Sequence, residues 1–91
     1  VWILELTERS KRQLSRIDKP DRDRILSYVH DRLLKLDDPR SLGIALKGSE
    51  LGSYWRFRVG DYRLICNLQN DLLVILLVEV GHRSDVYRRK D

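Results

Sequence analysis

Ninety-one residues make a single small domain, 1–91, whose core is modest, because a chain this short buries only about two-thirds of the surface it exposes when unfolded. Apolar residues at 42% suffice for a globular fold, while one cysteine, Cys66, excludes an internal disulfide. Lys+Arg 18 against Asp+Glu 14 leaves a net charge of +4, which favours a polyanionic partner over an acidic-protein habit.

Val1 to Leu6 is apolar and β-branched enough for a strand. Thr7 is placed to cap a helix over about Glu8 to Ile17, whose apolar contacts are Leu14 and Ile17. Pro20 suits the first turn of a second helix. There Ile25, Leu26, Val29, Leu33 and Leu36 recur at helical spacing, predicting a helix over about Asp21 to Leu36. Its other face, with Arg22, Asp23, Asp31 and Arg32, reads as solvated. Asp38-Pro39 ends it, and an irregular segment runs to about Ser53, long enough to suggest a functional loop.

The C-terminal half reads as three strands, about Tyr54–Val59, Tyr62–Leu68 and Leu72–Val80. Gly60-Asp61 makes the first turn, since glycine tolerates the positive φ of a tight hairpin. Gln69-Asn70-Asp71 makes the second, read as a three-residue loop that sets Cys66 opposite Val74. That register buries Phe57, Leu64, Cys66, Leu76 and Val78, and leaves Arg56, Arg58, Arg63, Glu79 and Arg83 on the other face. The expected fold is α+β: β-α-α-β-β-β, an antiparallel sheet with two N-terminal helices on one face, then a short helix or tail from Ser84.

The hairpin carries the chemistry. Its turn sets Arg58 directly across from Arg63, and like charges so placed destabilise a sheet. An anion lying over them offsets that cost, and a phosphate matches arginine's planar fork. His30, Cys66 and His82 have no metal-binding spacing, and no glycine-rich phosphate loop is present, so no metal or cofactor is expected. The longest apolar run, Leu72 to Val80, is broken at Glu79 and is far short of the roughly 20 residues that span a bilayer. No signal peptide is visible and the chain begins at Val1, so a missing initiator methionine or short leader and a soluble cytoplasmic protein are the expectations.

Three motifs, Leu46-Lys47-Gly48, Arg58-Val59-Gly60-Asp61-Tyr62-Arg63 and Val80-Gly81-His82-Arg83-Ser84-Asp85-Val86-Tyr87, together with the order of elements, resemble the RelE/ParE superfamily of bacterial toxins, and RelE more than ParE. The resemblance implies a toxin of a type II toxin–antitoxin system: a ribosome-dependent endoribonuclease that cuts mRNA in the decoding site without a metal. It also implies a cognate RelB-like antitoxin, with operator DNA bound only through the toxin–antitoxin complex. A ParE-like toxin would instead poison DNA gyrase on the same fold. A degenerate toxin surviving only as an antitoxin or DNA-binding partner is a third reading.

Carried onto this sequence, the resemblance assigns Arg63 to the scissile phosphate, Arg83 to the leaving oxygen and Tyr87 to base stacking or orientation of the 2′-hydroxyl. Arg56 and Arg58 stand where RelE-like enzymes often carry lysines; as arginines they are poor general bases, so charge stabilisation and RNA positioning are their expected roles. Lys47 is a candidate RNA-backbone contact. His82, an imidazole beside these residues, is a candidate acid or base, though strand parity turns it from the arginine face. The apolar third strand, Trp2, Trp55 and the helix surfaces suit an extended antitoxin segment, with Trp55 also read as core.

Overall fold

The computed structural model describes residues 1–46 and 54–83. Strand β1 (Ile3–Leu6) leads into helix α1 (Glu8–Ser15) through Thr7, whose hydroxyl accepts the Ser10 N–H at 3.1 Å. The cap predicted from sequence is therefore in place, and it does a second job. The same hydroxyl donates toward the carbonyls of Leu77 and Val78, at 3.3 and 3.2 Å, tying the helix start to the last strand.

Helix α2 (Lys19–Asp31) begins at Pro20 and buries Ile25 and Val29. It stops earlier than its apolar spacing predicts. Leu33–Lys35 tightens into a 3-10 turn, which keeps Leu33 and Leu34 in the core without a regular helix. Trp2 packs beside it: its amide donates to the Leu34 carbonyl at 3.0 Å and its indole N–H to that of Asp37 at 3.3 Å. Trp2 is thus buried core, and Trp55 is partly buried against the same cluster. A second 3-10 turn, Pro39–Leu42, is capped by the Asp38 carboxylate. Two residues of the segment expected to be irregular, Ile44–Ala45, form strand β2.

Strands β3 (Tyr54–Val59), β4 (Tyr62–Gln69) and β5 (Val74–His82) complete a five-stranded sheet of order β1-β5-β4-β3-β2. The β3–β4 register is the one the turn predicts: Val59 faces Tyr62, Arg58 faces Arg63 and Phe57 faces Leu64. Gly60 adopts φ +59°, which the tight turn requires. The sheet is mixed, since β1 runs parallel to β5. A parallel neighbour needs a long connection, and here it is the whole of the chain between them: α1 and α2 lead to β2 at the far edge, and β3 and β4 return toward β5.

The β4–β5 register differs from the expected one. Cys66 lies opposite Leu77, three residues beyond Val74. The turn takes four residues, Asn70 to Leu73, with Leu73 in the left-handed region at φ 54°. The odd shift moves Ile75 and Leu77 into the core in place of Leu76 and Val78. A bulge between the Ile65 and Cys66 positions then restores the phase, so Val80 is buried opposite Leu64 while Glu79, now opposite Ile65, keeps to the other face.

The core lies between the helices and one sheet face. Leu14, Ile25, Val29 and Leu33 pack there against Phe57, Leu64, Cys66 and Leu77. No helix among the described residues is long and apolar enough to cross a membrane. Cys66 is 1% exposed, and burial pushes its thiol from 9.0 up to about 12. A raised pKa in the folded state gives stability that is fully present below pH 9 and lost as the pH rises toward 12. Native protein is therefore expected to resist iodoacetamide in mildly alkaline buffer and react only on unfolding, with denaturant stability falling across that window; rapid labelling of folded protein would show an open thiol site.

Candidate anion site on the open sheet face

Residues paired across an antiparallel ladder point to the same side of the sheet. The side away from the helices therefore carries Arg56, Arg58 and Arg63, with Arg63 flanked by Arg58 on β3 and Gly81 on β5. Glycine at the β5 position sets no side chain beside the Arg63 guanidinium. Arg58 is exposed, whereas Arg63 is 9% exposed.

Arg83 reaches the same end of the molecule by another route. Its amide donates to the Asp61 carbonyl at 2.8 Å, and its guanidinium lies 4.0 Å from the Asp61 carboxylate. The ladder thus continues to the hairpin tip, two residues past the Arg63–Gly81 pair. Glu79, on β5, sits 3.9 Å from Arg9 of α1. Arg24, on α2, was not singled out by the sequence pattern. A Cβ built on Gly60 would come within 2.9 Å of its Nη1, so its guanidinium lies over the turn. Only the packing of α2 against β3 brings it there, and helical spacing alone carries no such signal.

The other side of the hairpin is different in character. Tyr62 donates to the Asp21 carboxylate at 3.3 Å, and burial together with that carboxylate raises its pKa. His82 stands edge-on to the Tyr62 ring, 5.3 Å between centroids. It therefore lies on the helix side, as parity predicts, and not beside Arg58 and Arg63. Lys47 and Tyr87 fall outside the described residues. Among the described residues no three His, Cys, Asp or Glu side chains gather as a metal site. Fixed guanidinium groups of this kind neutralise a phosphate and its developing charge; as permanent cations they do not take up protons.

The family model described as the ParE toxin of the parDE type II toxin–antitoxin system matches residues 4–87. No curated protein matches the chain by sequence. Among solved structures, a chain of the Mycobacterium tuberculosis RelBE2 toxin–antitoxin complex superposes with TM-score 0.79 at 20% identity, covering 92% of this chain and 93% of that one. The isolated Escherichia coli RelE toxin gives 0.74 at 18% identity, with 97% and 93% covered. A chain of the archaeal RelE–RelB complex from Pyrococcus horikoshii gives 0.72 at 26% identity, with 90% and 94% covered.

Opposite charges across a ladder stabilise it and like charges do the reverse. Arg58→Glu is therefore expected to raise stability by roughly 0.2–1 kcal/mol in urea unfolding while weakening retention on a phosphate polyanion. A less stable Arg58→Glu protein would mean that the facing arginines carry no penalty.

Proposed function

The chain belongs to the ParE toxin family of type II toxin–antitoxin systems, within the RelE/ParE superfamily, and from this premise we propose that it is a ribosome-dependent mRNA endoribonuclease. The observation that carries the reading is the facing pair Arg58 and Arg63, with Arg83 held to the same hairpin tip through Asp61. A gyrase poison has no evident need for a buried guanidinium set against a second one. A phosphate-cutting enzyme does.

The reaction is transesterification. The ribose 2′-oxygen attacks the adjacent phosphorus, the bond to the 5′-oxygen breaks, and a 2′,3′-cyclic phosphate and a 5′-hydroxyl result. Arg63 binds the scissile phosphate. Arg83 stabilises the departing oxygen. Arg56 and Arg58 position the RNA and offset the charge that grows on the phosphate, the kind of preorganised stabilisation that is usually the largest catalytic term. Tyr87 stacks on a base or orients the 2′-hydroxyl, and Lys47 contacts RNA backbone. No metal is needed, because the cations are part of the chain.

The natural inhibitor in this reading is a RelB-like antitoxin. Several solved relatives are RelB–RelE complexes, and the same kind of extended partner would cover this domain. Operator DNA is bound only through that complex, and the site of action is the cytoplasm.

One observation favours a second reading: the matching model is that of ParE, so poisoning of DNA gyrase without nuclease chemistry is the alternative. Mapping mRNA 5′ ends after brief expression separates them. The parent is expected to give discrete new ends, and Arg63→Ala and Arg83→Ala to lower their yield by about 100-fold to 1,000-fold with the fold intact. DNA-damage signalling without mRNA fragments would establish the gyrase reading, and folded variants cutting at the parental rate would remove the mechanism.

A further inference from the structure

A cleft of about 500 Å³ opens between α1 and the end of β5, within the size range of small-ligand sites. It exists because β1 stops opposite Leu77 and α1 takes over the rest of the β5 edge. Its composition is not that of a phosphate site. Arg9 and Arg16 are balanced by Glu79 and Asp18, so an anion gains little there. What it offers is an aromatic wall, the edge-to-face pair Tyr62 and His82, and hydrogen-bonding groups on the helix side.

Gln13 is the decisive residue. The Val80 N–H is a donor only, and it bonds the Gln13 side chain at 2.7 Å. Gln13 must therefore present Oε1 to the strand, which turns its Nε2 the other way. Among the described residues that NH2 group makes no hydrogen bond, and Gln13 lines the cleft. A donor of fixed direction thus shares the cleft lining with Glu79, the residue preceding Val80, whose carboxylate is an acceptor and lies 3.9 Å from the Arg9 guanidinium.

We propose that this cleft is a nucleobase pocket that selects a base beside the scissile bond, preferring the keto bases guanine and uracil. The proposal rests on the nuclease reading for its role, and its chemistry is independent of it. Guanine shows a carbonyl oxygen next to a ring N–H, and uracil does the same. Gln13 donates to the oxygen, Glu79 accepts from the N–H, and the ring lies against Tyr62 and His82. Adenine and cytosine carry the reverse pattern on that edge. RNA-binding proteins commonly read unstacked bases through such edges and aromatic contacts. Gly81 joins the two regions: it lines the cleft and is also the β5 residue opposite Arg63. A single strand with its phosphate at Arg63 carries the neighbouring base around the end of β5.

The test is a titration of the free chain with the four uncharged nucleosides, followed by NMR at the Gln13 side-chain amide and the His82 ring. Leaving out phosphate removes any contribution from the arginines. Guanosine and uridine are expected to shift these signals at concentrations about tenfold below adenosine and cytidine. Gln13→Glu keeps an acceptor for the Val80 N–H but leaves two carboxylates facing the base, each base then matching at one of its two positions, so it should erase that order. Equal responses of the parent to all four, no response, or an unchanged order in Gln13→Glu would overturn the pocket. Cut-site mapping keeps the two readings apart. A parent that makes no cuts removes the nuclease and leaves the titration to decide the pocket. A parent that cuts, with flanking bases unaltered by Gln13→Glu, removes the pocket alone.

Discussion

Two guanidinium groups set directly across the β3–β4 ladder are the constraint around which this molecule is arranged. The Gly60-Asp61 turn leaves no freedom in the matter: with a two-residue connection, Arg58 must meet Arg63. The ladder accepts the repulsion because Phe57, Val59 and Leu64, on the reverse side of the same strands, are buried in the core. Slipping the hairpin by one residue would separate the arginines, but it would also turn that apolar set outward. Core packing thus pins the charges in opposition, and the charges in turn define what can bind there.

The second organising element is the way α1 finishes the sheet. Beyond Leu77, no strand among the described residues lies on the outer side of β5, and side chains take the place of a ladder. Thr7 satisfies the carbonyls of Leu77 and Val78, and Gln13 satisfies the Val80 N–H. An open edge of this kind invites pairing with another chain. Closing it with a helix blocks that association, and it leaves room between helix and strand where a strand would have filled the space.

The parts of this fold that were legible in the sequence had local causes. A capping threonine, a proline in the first helical turn and a glycine turn each act within a few residues, so Thr7, Pro20 and Gly60 announce their roles directly. Strand β5 had no such signal. Val74 to Val78 is apolar at every position, so alternation does not say which residues face the helices. A non-glycine residue at positive φ, Leu73, lengthened the turn, and the bulge reversed the phase midway. The parallel pairing of β1, the placement of Arg24 over the turn and the cleft beside Gln13 arise from contacts between distant segments. The site was half legible for the same reason: Arg58 and Arg63 follow from one turn, whereas the surroundings of Arg83 and His82 depend on how β5 is seated.

The first strand of this protein finds its partner only in the last one. Thr7 is joined to residues 70 and 71 positions further on, and among the described residues β1 has β5 as its one neighbour in the sheet. During translation the N-terminal strand must therefore wait unpaired until nearly the whole polypeptide has emerged. The arginine cluster shares that delay, since Gly81 and Arg83 belong to the end of β5 and the residue after it. A nascent chain of this kind cannot bring its arginines together until synthesis has passed the final strand.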